Sequence, residues 1–396
     1  VLKIEVQGKS QMKSRNTIKI FNYIRENGPV SRTDLSKTMR ISLPSITRIT
    51  NALINENFIR EIGIEESNVG RKPIKLDINK DICYCIGINI SKSQIHITLV
   101  NLGLEILYQN AHSLSAVKNA DDFLFLIDRL LAEVFRLEYI PNIKILGIAV
   151  ASVGIIDYEN GVIVRWNPKV AIGKIEIKKY LERKYDLLVK VDSKINAILF
   201  GHYWYKSRLE DGSKSNFIYL HCGEGVGGSV IVNGQILRGY NNIAGKFGHM
   251  IVAENGRKCD CGCHGCLQAY ASRAAIEENY YIPDRDDSNE KNDVETICQR
   301  ANHGDQDSIK YLNDILEKIS IALINAIVIL NPEVVIVSGE IFDYYRNALE
   351  YLKGAVYQKN FAKDMNRVIW ERKGREEFMT ECYVTALIYE EVFSLM

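Results

Sequence analysis

Three cysteines, Cys259, Cys261 and Cys266, fall within eight residues, and His249 stands ten residues before the first of them. Thiolate and imidazole are ligands that tetrahedral zinc prefers, and three of the former with one of the latter leave no coordination position open to a substrate. The chemistry expected of such a set is structural, with Zn2+ acting as a cross-link. Gly262 and Gly265 supply the backbone freedom a loop needs to wrap an ion. Cys263 and His264 lie in the same run and are further candidate ligands. The nine cysteines therefore do not argue for secretion, because four of them crowd into Cys259–Cys266 at metal-site spacing.

A second set of residues, near the front of the chain, has the types that bond nucleic acid. Ser45, Thr47, Arg48 and Asn51 alternate with Ile46, Ile49 and Leu53, so a helix here buries the aliphatic side chains and turns short polar groups and one guanidinium outward. Ser42 is placed to cap that helix, and Pro44 sits in its first turn, where no amide hydrogen is needed. Two helical patterns precede it. Ser14 opens the first, with Ile18, Phe21 and Ile24 on one face and Gly28-Pro29 at its end. Ser31 opens the second, a short helix with Asp34 three residues on as a capping-box partner and with Leu35 and Met39 on its apolar side. Two short helices joined by a tight turn, the second with a polar N-terminal face, is how a recognition helix enters a major groove. Phe58-Ile59-Arg60-Glu61 and Ile74-Lys75-Leu76 then read as strands flanking a tip that carries Gly70, Arg71 and Lys72, a wing able to lie on phosphate or in a narrow minor groove. Ser31, Arg32 and Ser42, at the helix starts, complete the expected DNA-facing set.

Charge agrees with that division. The chain of 396 residues has a net charge of +1, but residues 1–80 carry +7 and the remainder −6. A basic front on an acidic body suggests a polyanionic partner for the front alone. With 46% hydrophobic and 25% charged residues and no low-complexity tract, the chain reads as globular, in two or three domains. Its most apolar stretch, Ile319 to Leu330, is too short to span a bilayer, and Val1 to Ser10 has no signal-peptide core, so no membrane partner is expected and the cytoplasm is the expected compartment.

Beyond residue 80, strands and helices alternate. Tyr84–Asn89 and Ile95–Asn101 read as a hairpin, and Phe217–Cys222 and Ser229–Val232 repeat the unit around the glycine-rich turn Gly223 to Gly228. Two such units, each followed by β and α elements, suggest a duplicated α/β architecture with a cleft between lobes.

The whole chain resembles the ROK family, which joins sugar-responsive repressors to bacterial sugar kinases. The front resembles the repressor branch through Ser31-Arg32-Thr33-Asp34-Leu35-Ser36, Ile41-Ser42-Leu43-Pro44-Ser45-Ile46-Thr47-Arg48 and Gly70-Arg71-Lys72-Pro73. The body matches at Gly248-His249, at the run Cys259 to Cys266, at the glycine-rich turn and at Ser338-Gly339. The resemblance implies an α/β fold: a winged helix-turn-helix over 1–80, then an actin-like body in two lobes. The first lobe would span 81–200, completed by a C-terminal helix at about 378–396; the second, over 201–377, would carry the zinc motif and the dimerisation surface. It also implies Zn2+ on His249, Cys259, Cys261 and Cys266, a double-stranded DNA operator, a carbohydrate effector, and assembly as a homodimer or tetramer.

Against the family's kinases, three parts are altered. Asn89-Ile90-Ser91-Lys92 stands where an Asp-Gly-Gly-Thr-like turn is found, Glu224 stands where a small hydroxyl residue is found between glycines, and Lys194 occupies the position of the catalytic aspartate. A carboxylate aimed at a triphosphate repels it, and an ammonium cannot accept a sugar proton at neutral pH. The chain is therefore expected not to be an enzyme. The sugar site implied by the resemblance comprises Asn167, Lys194, Lys246, His249 and Gln268, and within it Lys194, Lys246 and Gln268 replace three acids. Two main readings follow: an anionic effector such as a sugar phosphate or sugar acid held by the two lysines, or a vestigial site in which Lys194 pairs with a carboxylate such as Glu224; a neutral sugar held through Asn167, His249 and Gln268 is a third.

Overall fold

Between Arg15 and Asn27 the chain winds into a first helix whose buried stripe is Thr17, Ile20, Phe21 and Ile24. The sequence reading placed Ile18 on this stripe, but the helix turns Ile20 inward, completing the i, i+3, i+4, i+7 spacing from Thr17 that closes a helical face. The computed structural model describes residues 15–64, 73–166, 173–206, 215–280, 292–359, 368–374 and 380–393; Ser14 lies outside them. Strand β1 (Val30–Ser31) leads into a second helix, Arg32–Met39, and the third follows at Leu43–Asn55. Strands β2 (Ile59–Ile64) and β3 (Ile74–Ile78) pair antiparallel, and β1 adds to β3, giving the order β1-β3-β2.

The capping box is formed as expected: the Ser31 hydroxyl accepts from the Asp34 amide at 3.1 Å and the Ser31 amide donates to the Asp34 carboxylate at 3.2 Å. Ser42 does occupy the N-cap of the third helix, with Pro44 in the first turn, but its hydroxyl donates to Ser45 Oγ at 2.9 Å and makes no cap bond.

The chain divides into two compact units, residues 1–212 with 380–396, and residues 213–379. In the first, a five-stranded sheet is built from β4 (Tyr84–Ile90), β5 (Gln94–Asn101), β6 (Ile106–Ser113), β7 (Ile145–Ser152) and, after the small hairpin β8 (Ile155–Asp157) and β9 (Val162–Arg165), β10 (Leu188–Ser193). Its order is β10-β7-β4-β5-β6. Every residue of β4 is buried because the sheet is covered on both sides. Tyr84, Ile86, Ile88 and Ile90 share a core with Phe123, Ile127 and Leu131 of helix Ala120–Phe135. The other face receives helix Lys194–Lys206 and the tail helices Thr380–Tyr383 and Ala386–Phe393.

The second unit repeats the plan. Strands β11 (Phe217–Cys222), β12 (Val226–Val232), β13 (Gln235–Ile236), β14 (Val334–Gly339) and β15 (Ile369–Lys373) take the order β13-β12-β11-β14-β15. In both sheets the first two strands pair antiparallel and the first and fourth run parallel. The fold is thus a duplicated α/β body behind a winged helix-turn-helix. The apolar stretch Ile319 to Leu330 ends the long helix Gln306–Leu330, which buries Leu312, Ile315, Leu316, Ile319 and Leu323 in this unit's core. Among the described residues no helix is long and apolar enough to cross a membrane.

The glycine-rich segment is shorter as a turn than its composition suggested. Val226 already pairs with Cys222, so Gly227 and Gly228 lie within β12. Gly228 serves close packing: a Cβ there would stand 2.1 Å from Phe247 Cδ2, so any side chain would displace that buried ring.

Candidate functional site

The third helix presents two faces. Ile46, Ile49, Thr50 and Leu53 are buried against the module's core, whereas Arg48 and Asn51 are exposed on the opposite side, as is Ser42 at its start. Ser45 and Thr47 are half-buried, and the Thr47 hydroxyl donates to the Leu43 carbonyl at 2.9 Å. Arg32, from the preceding helix, reaches the same side. Its guanidinium bonds Thr50 Oγ1 at 3.0 Å, Asn51 Oδ1 at 3.0 Å and Glu61 of β2 at 2.9 Å. Sequence reasoning gave Arg32 to DNA without seeing this tie, since its partners lie 18 to 29 residues away and leave no periodic signal.

Ser31 is placed differently from the expectation. It is 2% exposed, and its hydroxyl bonds Thr33 Oγ1 at 2.6 Å and Asp34 Oδ2 at 2.7 Å. The side chain is used up in holding the helix start and does not face outward. These bonds from Ser31 hold the Asp34 carboxyl below its ordinary pKa. Gly70, Arg71 and Lys72 lie outside the described residues.

In the second unit, His249 ends a short helical turn at Phe247–His249, and Cys259, Cys261 and Cys266 follow in a loop. Ligand atoms of these four residues all lie within 4.8 Å of one another. Cys261 Sγ is 3.7 Å from Cys266 Sγ, and Cys259 Sγ is 3.9 Å from His249 Nδ1. Ligands at about 2.3 Å from a tetrahedral centre are about 3.8 Å apart, so the set fits a zinc ion. Cys259 and Cys266 are buried, and Cys263 and His264, which are exposed, do not join the group. Backbone bonds shape the loop: the Cys259 amide donates to the Cys263 carbonyl at 2.8 Å and Gly262 to Cys259 at 2.9 Å. Gly265 has φ +77°, and a Cβ there would meet the Ala253 carbonyl oxygen at 1.8 Å, so this position requires glycine.

The residues expected at an effector site divide between the units. Lys194 is the first residue of helix Lys194–Lys206, half-buried, two residues after the buried Asp192. Asp192 Oδ1 accepts from the Ser193 amide at 2.7 Å and from Asn196 at 3.0 Å. In the second unit, Lys246 is exposed beside the turn that carries His249, and Gln268 begins a helix with its amide against the Gly225 turn. Asn167 lies outside the described residues. Glu224 is exposed at the tip of the second hairpin, while the buried Glu340 carboxylate, at the N-terminus of the helix after β14, is gripped by Arg273 at 2.5 and 2.7 Å.

Comparison with known proteins agrees with both parts of this architecture. A profile described as "ROK family" matches residues 85–374, and one described as "Winged helix-turn-helix DNA-binding" matches residues 13–60. The xylose repressor of Caldicellulosiruptor bescii is 29% identical over 360 residues, covering 88% of this chain and 89% of the repressor. The N-acetylglucosamine repressor of Escherichia coli O157:H7 is 26% identical over 343 residues, 83% of this chain and 81% of the other. Among solved structures, a ROK family transcriptional regulator superposes with a TM-score of 0.78 at 21% identity, covering 96% of this chain and 98% of its own. The ROK hexokinase of Thermus thermophilus matches with a TM-score of 0.63 at 19% identity, covering 78% of this chain and 99% of its own.

Proposed function

The chain belongs to the ROK family and carries a winged helix-turn-helix at its front, and from that premise we propose that it is a sequence-specific DNA-binding repressor of carbohydrate-metabolism genes. The observation that carries this reading is the third helix, whose exposed side offers Arg48 and Asn51 while Ile46, Ile49 and Leu53 anchor it. Arg48, Asn51, Ser42, Ser45 and Thr47 read base edges and phosphates, Arg32 orients them, and Gly70, Arg71 and Lys72 of the wing lie on the backbone. Two copies of the chain set two such modules on neighbouring half-sites.

The body acts as a receptor without phosphoryl transfer, and the protein works in the cytoplasm. Lys194 stands where a proton acceptor is required, and Glu224 presents a carboxylate where phosphates would approach. Lys194 and Lys246, with Asn167, His249 and Gln268, suit an anionic sugar derivative. Binding of such an effector lowers operator affinity by its differential affinity for the two states of the protein. His249, Cys259, Cys261 and Cys266 hold zinc, which stiffens the segment leading into Gln268.

Selection from a random-sequence duplex pool tests the proposal. The expected result is enrichment of a defined motif, together with no turnover in an ATP-consumption assay across neutral sugars. A protein that enriches no duplex and phosphorylates a sugar is an enzyme, and the reading is then wrong.

A further inference from the structure

Arg25, in the last turn of the first helix, is 8% exposed. A guanidinium is rarely buried to this extent without partners to satisfy it. Several of its partners come from outside the winged module. Its Cζ lies 3.7 Å from the centroid of the Trp204 indole, and Nη1 donates to the Trp204 backbone carbonyl. Nη2 donates to Glu26 at 2.6 Å and Nε to Asn22 Oδ1 at 3.4 Å. Burial pushes the Arg25 pKa down and those of Glu26 and Glu390 up, while attraction between the guanidinium and these carboxylates opposes each shift.

The same seat has an aromatic floor. Phe21 and Phe58 of the module meet Phe393 of the tail helix with ring centroids 5.0 and 6.4 Å apart. The Asn22 amide donates to the Phe393 carbonyl at 3.4 Å, and Trp204 stacks on Tyr389 at 5.5 Å. The module therefore rests on two helices of the body, Lys194–Lys206 and Ala386–Phe393.

Helix Lys194–Lys206 has a useful geometry. It begins at Lys194, and Trp204 follows ten residues later, about 15 Å along the axis. Its middle is pinned to the tail, for Gly201 leaves no room for a Cβ against the Tyr383 backbone. A stacked, forked guanidinium fixes both position and angle at the Trp204 end, which a lysine ammonium cannot do.

We propose that Arg25 is a positioning residue for operator recognition, clamping the winged module to Trp204 so that the module's orientation and the N-terminal turn of helix Lys194–Lys206 form one mechanical element. This rests on the DNA-binding reading above. Displacement at the Lys194 end is carried along the helix to the module, and docking of the module on DNA is felt at Lys194.

Amide hydrogen exchange on the full chain, with and without the duplex enriched from the random pool, tests this. In the native protein, DNA is expected to slow exchange in residues 43–55 and also, at least threefold, in residues 194–200. Arg25→Ala is expected to keep the first effect and lose the second. Should that variant not fold, Trp204→Phe, which retains an apolar ring, is expected to give the same result. The proposal is overturned if slowing at 194–200 is absent in the native protein or persists in both variants. It is also overturned if Arg25→Ala merely speeds exchange throughout residues 15–64 without DNA. If no duplex protects 43–55 in the native protein, it is the DNA-binding reading that fails.

Discussion

The Arg32 guanidinium donates to the Asn51 amide oxygen at 3.0 Å, so two residues that the sequence offered separately to DNA are joined before any DNA arrives. The bond leaves the Asn51 amide nitrogen free to donate outward and holds the side chain in one pose. Because the same guanidinium also reaches Glu61, it fastens the third helix to the wing strand. Arg32→Ala is therefore expected to weaken specific binding by about tenfold, or about 1.4 kcal/mol, with much less effect on a random duplex. Anisotropy titrations at fixed salt measure both, and equal losses on the two duplexes would assign Arg32 to phosphate instead.

Arg48→Ala is expected to cost roughly 1–3 kcal/mol on the selected duplex and to relax sequence preference at one position. Arg71→Ala is expected to weaken all duplexes alike and to reduce the slope of log affinity against log salt by about 1. Titrations at three salt concentrations separate the two. If neither substitution matters, the DNA-facing set is wrong.

Zinc analysis of the purified protein is expected to give one ion per chain, retained in Cys263→Ser and lost in Cys266→Ser. Loss of about 3 kcal/mol would lower the melting midpoint of a unit of this size by roughly 6–12 °C. Chelation followed by thermal scanning measures it. A Cys266→Ser protein that keeps both its metal and its midpoint would falsify the ligand assignment.

Gly201→Ala sets two effects against each other. Replacing a mid-helix glycine stabilises by roughly 0.5–1 kcal/mol, but the new Cβ would stand 2.3 Å from Tyr383 Cβ and 2.6 Å from the Tyr383 carbonyl oxygen. Overpacking of that kind costs roughly 1–3 kcal/mol, so the expected result is net destabilisation in urea. A raised midpoint would show that the tail is free to retreat.

The capping box gives a pH dependence of definite sign. Bonds from Ser31 hold Asp34 below its ordinary pKa of 3.8 in the folded chain. A carboxyl depressed in this way contributes stability that is present above the unfolded value and is lost as pH falls through the folded value. The native protein is therefore expected to lose more stability than Asp34→Asn below about pH 4 and to run parallel to it from pH 5 to 7. Ser31→Ala is expected to cost roughly 0.5–2 kcal/mol at pH 7. Thermal midpoints across this range decide both.

What the sequence disclosed was mostly local. Ser31 and Asp34 are three residues apart, and the helix they cap could be read directly from them. The burial of Ile46, Ile49 and Leu53 followed from helical spacing, and the metal group from three cysteines within eight residues and a histidine ten residues before them. Readings that depended on a distant neighbour went differently. Gly228 looked like part of a turn because nothing nearby announces the Phe247 ring packed against it. Ser31 looked available to DNA because the strand that pairs beside it, through Lys75, lies 44 residues further along the chain. Nothing local marks Arg25, whose partner Trp204 lies 179 positions away.

The bond between Asn22 and Phe393 joins residues 371 positions apart. At a synthesis rate of about 5–20 residues per second, the ribosome finishes the winged module roughly 15–65 seconds before it completes the tail helix on which that module rests. Every new copy thus passes through a period in which the head has at most the Trp204 half of its seat. Translation that halts before Ala386 would leave it so permanently, with the Phe393 ring missing from beneath Phe21 and Phe58.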